Sequence, residues 1–144
     1  MVVLGLSLAV GAPAANDLFP ATAAQTVEAA VQTGWVKESG NWYFYKDGTK
    51  QTGWQAWDGK RYYLNADGTM KANEWMIDTD GSIYYFRSWG GIYKNGFQSI
   101  GGNEYYFQSW GGVYRNTFFT VKGKTYIAQN DGSIYHASQT GWVQ

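Results

Sequence analysis

The chain contains no cysteine and only one histidine, His136. The absence of cysteine excludes disulfide bonds, thiol catalysis and thiolate metal ligands. The histidine has no partner in a catalytic or metal-binding pattern, and neither a phosphate-binding loop nor a dinucleotide fingerprint is present. The sequence therefore favours a non-catalytic protein that uses no metal and no cofactor.

Charge is also scarce. Charged residues make up 15% of the chain, and 11 basic residues balance 11 acidic ones. No basic run is present, so the charge pattern of a nucleic-acid-binding protein is missing. The chain also lacks the polybasic segment that binds an anionic membrane surface. We therefore expect no nucleic-acid partner and, once the leader described next is removed, no membrane partner.

The N-terminus resembles a secretion signal. Residues 2–10 are apolar apart from one Gly and one Ser, a run too short to cross a bilayer. Small-residue stretches typical of a cleavage site follow it. No Lys or Arg precedes Lys37, so the basic start of such a signal is missing and we expect the true start to lie upstream. The alternative is a disordered, Ala-rich N-terminus.

This pattern divides the chain into three parts. Residues 1–24 are predicted to be a helical or disordered leader that packs against nothing in the rest of the chain. Cleavage after its last small residues, Ala23 or Ala24, would leave residues 25–32 as a polar linker. Residues 33–144 are tandem repeats, and because a new repeat opens at the end of the chain we expect the array to continue beyond it. A leader of this kind predicts a secreted protein.

Aromatic residues are abundant, since Trp, Tyr and Phe make up 19% of the chain. A Thr-Gly-Trp tripeptide occurs three times, and we call the position of its Trp the anchor. An aromatic triplet, such as residues 42–44, follows an anchor by seven or eight residues. A period near twenty residues is typical of a solenoid of small units. The anchors of the successive units are Trp35, Trp54, Trp75, Phe97, Phe118 and Trp142.

Each unit has the pattern of a short β-hairpin. Aromatic side chains alternate with period two along residues 42–45, which is typical of a strand. Asp-Gly dipeptides predict turns, because Gly takes positive φ without steric cost. A single hairpin is marginal in water, so neighbouring hairpins must stack. We predict an all-β solenoid of stacked short β-hairpins. The Asp-Gly dipeptides begin at Asp47, Asp58, Asp67, Asp80 and Asp131.

The segments TGWVKESGNWYFYKDGTKQTGW and GKRYYLNADGTMKANEW resemble the choline-binding repeats of bacterial cell-wall-binding modules. Those repeats combine Gly-Trp, an aromatic triplet about seven residues on, a glycine turn and often a Met before the next Gly-Trp. The glucan-binding repeats of glucansucrases are closely similar. The resemblance covers residues 33–144 but is looser in the later units, where Trp89 and Trp110 replace the Asp of the turn.

The resemblance implies ligand sites between consecutive hairpins. In the family, the anchor and the first triplet residue of one unit join the third triplet residue of the next. The first site is then formed by Trp35, Trp42 and Tyr63, with Met70 as a further wall. The implied partner is choline on teichoic acid, because a quaternary ammonium has no N–H donor and is held by aromatic faces instead.

The later sites depart from this pattern. The second site would use Trp54 and Tyr85, but Arg61 takes the first triplet position, where its charge would repel choline. The third would use Trp75 and Tyr106 around an aliphatic residue. These departures favour an alternative partner, an α-glucan or other surface polysaccharide. The aliphatic residue of the third site is Ile83. The fourth site would combine Phe97 with two non-aromatic residues, Glu104 and Ile127.

Two further alternatives remain. Large aromatics contribute most of the burial in a hairpin stack, so the array is alternatively a passive spacer. Such arrays are also appended to cell-wall hydrolases and glucansucrases, so a catalytic domain in a longer parent protein is the other alternative. We prefer a non-catalytic binding module at the bacterial cell surface. The middle Tyr of each triplet is expected to be structural: Tyr43, Tyr62, Tyr84, Tyr105 and Tyr126.

Overall fold

A computed structural model of the chain describes residues 31–136. The predicted leader, most of the predicted linker and the last anchor, Trp142, lie outside the described residues. The prediction that the leader packs against nothing therefore lies outside them too.

The chain divides into two compact units. Among the described residues, the N-terminal unit comprises residues 31–55 and 63–70, and the C-terminal unit comprises residues 56–62 and 71–136.

Strands and turns make up residues 31–136, and none of these residues is helical. The described part of the chain accordingly contains no helix that could span a membrane. The predicted all-β class is confirmed. The strands are β1 (Gly34–Glu38), β2 (Asn41–Lys46), β3 (Thr49–Lys50), β4 (Gly53–Trp57), β5 (Lys60–Leu64), β6 (Glu74–Ile77), β7 (Ile83–Phe86), β8 (Gly96–Ile100), β9 (Asn103–Phe107), β10 (Thr117–Val121) and β11 (Lys124–Ala128).

The strands pair as consecutive antiparallel hairpins. β1, β2 and β3 form a three-stranded sheet, and β4–β5, β6–β7, β8–β9 and β10–β11 form two-stranded sheets. In four hairpins the register sets the anchor opposite the third triplet residue of the same hairpin. These cross-strand pairs are Trp35 and Phe44, Trp75 and Tyr85, Phe97 and Tyr106, and Phe118 and Ile127.

Several hairpins close through tight turns in which both central residues have positive φ. Asp58 and Gly59, for example, have φ of 49° and 69°, as a type I′ turn requires. Ser39-Gly40 and Lys122-Gly123 form turns of the same kind without Asp, so the Asp-Gly signal missed them. Asp67 and Asp131, in contrast, lie in loops that follow a hairpin.

Backbone hydrogen bonds join successive hairpins at one fixed position, and we call them rungs. In each rung, an amide in the loop after one hairpin donates to the carbonyl of the first triplet residue of the preceding hairpin. The N-terminal unit has one, from Met70 to Trp42 at 2.9 Å. In the C-terminal unit the rungs run from Ile92 to Arg61 (3.2 Å), from Val113 to Ile83 (3.0 Å) and from Ile134 to Glu104 (2.8 Å).

The core of the C-terminal unit consists of apolar clusters contributed by neighbouring hairpins. One surrounds Phe107, whose side chain is fully buried, and includes the buried residues Ile83, Tyr105 and Val113. A second surrounds Phe119. Each hairpin thus buries one aromatic face on the next, which offsets the weakness of a lone hairpin in water.

Candidate functional site

Trp35 is the most enclosed member of the first predicted site. Its side chain is 1% exposed. It packs edge-on against its cross-strand partner Phe44, with ring centroids 5.2 Å apart. The indole is therefore part of the packing within its own hairpin.

The other members of the first predicted site, Trp42, Tyr63 and Met70, are half-buried and keep surface for a ligand. A rung brings Met70 to Trp42 directly. Lys37 is the cross-strand partner of Trp42, and its Nζ lies 5.8 Å from the centroid of the Trp42 ring. The face of this indole therefore already attracts a positive charge.

The residues of the second predicted site belong to different units. Trp54 packs edge-on against Tyr63 in the N-terminal unit, with ring centroids 5.3 Å apart. Tyr85 belongs to the C-terminal unit, where it contacts Trp75 at 4.9 Å and Tyr93 at 5.8 Å.

Trp75 and Tyr106, predicted for the third site, pack into different clusters of the C-terminal unit. Trp75 lies against the cluster around Phe107, and its ring centroid is 4.6 Å from that of Tyr105. Tyr106 lies against the cluster around Phe119, and its ring centroid is 5.2 Å from that of Phe119. Ile83, between them in the predicted site, is buried. Both aromatic side chains are therefore part of the packing between hairpins.

Two kinds of loop follow the hairpins, and the first is closed by an aspartate. Asp67 Oδ1 accepts hydrogen bonds from the backbone N of Thr69 at 2.9 Å and from its Oγ1 at 2.6 Å. Asp131 accepts the same two bonds from Ser133 at 2.9 and 2.6 Å. The hydroxyl bond is the main cause that holds the pKa of each carboxyl below its usual value.

The second kind of loop carries a tryptophan and two glycines. Trp89 is followed by Gly90-Gly91, and Trp110 by two glycines in the same way. A β-carbon at Gly91 or at Gly112 would overlap the indole of that loop. Each indole therefore lies against its own backbone, and the second glycine makes room for it.

A cavity of about 370 Å³ opens in the C-terminal unit beside these two loops. Trp89 and Trp110 line it and remain 38% and 44% exposed. Four cationic side chains, Lys60, Arg61, Arg87 and Lys94, line it as well, and none of its lining residues is acidic. Exposed tryptophans beside convergent polar groups are typical of a ligand site.

Neighbouring aromatic rings hold the two arginines of this cavity. The Arg87 Cζ lies 4.4 Å from the centroid of the Tyr93 ring and 5.7 Å from that of Trp89. The Arg61 Cζ lies 5.7 Å from the centroid of Tyr84, and its Nη1 donates to the backbone carbonyl of Trp110 at 3.3 Å.

This cavity was not predicted from the sequence, in which Trp89 and Trp110 were only departures from the Asp-Gly turn with no predicted role. A usable signal was present, because glycine follows Trp-Gly whereas Thr or Ser follows Asp-Gly in the equivalent loops.

Two protein families match parts of the chain. The first, described as a choline-binding repeat, matches residues 32–75. The second, described as a putative cell wall binding repeat, matches residues 95–112. Glucosyltransferase-I from Streptococcus downei is 36% identical over 72 residues, which cover 49% of this chain and 4% of that protein.

Solved structures with this fold include two from Streptococcus pneumoniae. Choline binding protein F has a TM-score of 0.63 and 34% identity, over 72% of this chain and 35% of that one. The choline binding domain of Spr1274 has a TM-score of 0.51 and 41% identity, over 60% of this chain and 99% of that domain. The chain thus spans about a third of choline binding protein F and nearly all of the Spr1274 domain.

Proposed function

The chain belongs to the choline-binding repeat family, and from that premise we propose that it attaches a secreted protein to the bacterial cell surface by binding choline on teichoic acid. One observation carries the proposal. All four residues of the first predicted site, Trp35, Trp42, Tyr63 and Met70, fall within residues 32–75, the segment that matches the choline-binding repeat. They also belong to the same compact unit.

The chemistry of these residues suits a quaternary ammonium. Choline offers no N–H, so its attraction to the quadrupole of an aromatic ring replaces hydrogen bonding, at roughly 0.5–2 kcal/mol per favourable contact. Trp42 and Tyr63 supply the accessible rings, Met70 an apolar wall and Trp35 the interior backing. Binding at one site is weak, and a polymer that carries many choline groups gains avidity from an array of sites.

Calorimetric titration of the protein with choline tests this proposal. We expect saturable binding that is lost in Trp42→Ala, because one ring face is removed, and kept in Arg61→Ile. The latter is the matched control, since isoleucine is the residue at the equivalent triplet position of the next unit, Ile83. No saturable response to choline, with the protein folded, contradicts the proposal.

An α-glucan or other surface polysaccharide is the second candidate. The 36% identity to a segment of Glucosyltransferase-I favours it, as do the non-aromatic residues at later triplet positions, Arg61, Ile83 and Glu104. Titration with an α-glucan oligosaccharide distinguishes the two ligands. A glucan response without a choline response would promote this candidate, and a response to neither ligand would leave the passive spacer.

We also propose that residues 1–24 direct secretion and that residues 25–32 link them to the repeats. The apolar run followed by small residues supports this. N-terminal sequencing of the exported protein should find a new terminus at Ala24 or Gln25. A retained leader in the exported protein would contradict the proposal.

A further inference from the structure

We propose that the cavity between Trp89 and Trp110 binds a saccharide unit that carries an anionic group, either a carboxylate or a phosphate. This site is separate from the choline site and has the opposite preference for charge. It therefore extends the proposed function to a second ligand class rather than depending on it.

The cavity is lined by cations and by no acidic residue. The cations are Lys60, Arg61, Arg87 and Lys94, although the whole chain has no net charge. Arg87 and Lys94 form no ion pair with any of residues 31–136. Lys60 pairs with Asp58 only loosely, at 3.3 Å and at an exposed position, where such a pair is weak. Arg87 and Lys94 thus bring to the cavity two positive charges that no carboxylate among the described residues pairs with.

Arg87 is held by aromatic packing. Its guanidinium stacks on Tyr93 at 4.4 Å, and its Nε is buried without a hydrogen-bond acceptor among the described residues. Aromatic packing therefore fixes the orientation of this planar group without the help of a carboxylate. A guanidinium fixed in this way is suited to bidentate binding of a carboxylate or phosphate.

The two indoles are held by their own loops. Each lies against its own backbone because glycine occupies positions 91 and 112, so its position is set before a ligand arrives. Such a rigid apolar surface can cover the C–H face of a sugar ring and remove it from water. Four of the five polar side chains that line the cavity are cations, which favours a sugar with a negative substituent over a neutral one.

The next repeat provides an internal comparison. A companion cavity of about 290 Å³ lies one unit further along and shares Trp110. Among its lining residues, Gln108 takes the place of Arg87, and Arg115 takes the place of Lys94. Asp80 lines it as well. An arginine at the position of Arg87 is therefore not required by the repeat fold, and the chain itself supplies a substitution, glutamine, that this fold accepts.

The test follows the indole N–H signals of Trp89 and Trp110 by NMR while glucuronate, glucose 1-phosphate, methyl glucoside or choline is added. We expect both anionic sugars to shift these signals, and methyl glucoside and choline to leave them in place at the same concentration. Arg87→Gln and Arg61→Ile should each weaken binding of the anionic sugars by about tenfold or more, as expected for loss of a charge-assisted hydrogen bond. Comparing the two sugars identifies which anionic group is preferred.

Arg115→Gln is the matched control, because it removes one arginine that does not line this cavity. It should leave binding of the anionic sugars within about twofold. Three results would overturn the proposal: equal shifts with methyl glucoside, equal loss in Arg115→Gln, or tighter binding of a short oligodeoxythymidine than of either sugar. A failure of choline binding elsewhere in the protein would leave this result unaffected, so the two proposals fail separately.

Discussion

At the scale of single residues, the glycine after Trp-Gly decides where an indole lies. Position 91 has no side chain, and the Trp89 ring occupies the space that a β-carbon would fill. The loop closed by Asp67 needs no such space and has Thr69 at this position, where the hydroxyl donates to the carboxylate. The side chain at the start of the loop thus determines the residue two positions later: a Trp requires glycine there, and an Asp is paired with a residue that carries a hydroxyl group.

Gly91→Ala should lower the free energy of unfolding by about 1–3 kcal/mol, the usual cost of overpacking. The added methyl group forces the Trp89 indole away from the backbone. Urea unfolding measures the change, and the same substitution in a Trp89→Asp background is the control. An equal cost in both backgrounds would show that the indole is not the cause.

The turn aspartates predict the response to acid. The hydroxyl of Thr69 is the main cause that lowers the pKa of Asp67 from its ordinary value of 3.8. Because the pKa in the folded state is the lower one, the carboxylate stabilises the fold above about pH 4, and this contribution is lost as the pH falls through the folded-state pKa. Thr69→Val should raise the pKa of Asp67 towards 3.8, as followed by NMR of the carboxyl carbon, and an unchanged pKa would contradict this account. Asp131 should keep its lowered pKa in that variant.

At the scale of elements, the hairpins depend on turns whose central residues have positive φ. Lys122 adopts φ of 49° in the β10–β11 turn, a conformation that Asn takes more readily than Lys. Lys122→Asn should therefore stabilise the protein by a few tenths of a kcal/mol up to about 1 kcal/mol. Thermal unfolding tests this. Lys124→Asn, two residues later in β11, is the control and should not stabilise, because Asn is disfavoured in strands.

The sequence was sufficient to predict these elements but not the cationic cavity. Hairpins depend on local alternation and turn residues, so the strand over residues 42–45 and the turn at Asp58-Gly59 were predictable. The cavity depends on contacts between distant residues, such as Arg61 and Trp110, which are 49 positions apart. Periodicity shows that these residues recur in equivalent units but gives no distance between them. For the same reason, burial of Trp35 was not evident from its place in a Gly-Trp motif.

At the scale of the whole molecule, the rungs make each hairpin depend on its neighbour in the same unit. The amides of Ile92, Val113 and Ile134 donate to carbonyls of the preceding hairpin, although they lie outside the named strands. We expect these amides to exchange with solvent as slowly as strand amides, because their exchange requires hairpins to separate. Hydrogen-exchange NMR measures this. Exchange as fast as that of the Ser88 amide, in the exposed part of one such loop, would contradict it.

The rungs hold the hairpins together through the main chain and leave the side chains at the same positions available for binding. The acceptor in every rung is a main-chain carbonyl, and the residues that supply it are Trp42, Arg61, Ile83 and Glu104. An indole, a guanidinium, an aliphatic chain and a carboxylate all occupy the same structural position, so the rung itself requires no particular side chain, although Ile83 also packs into the cluster around Phe107. Mutation at this position can change what a repeat binds while the repeat keeps its neighbours. A lineage that duplicates such units can therefore acquire new ligands one unit at a time, wherever this side chain lies outside the apolar clusters.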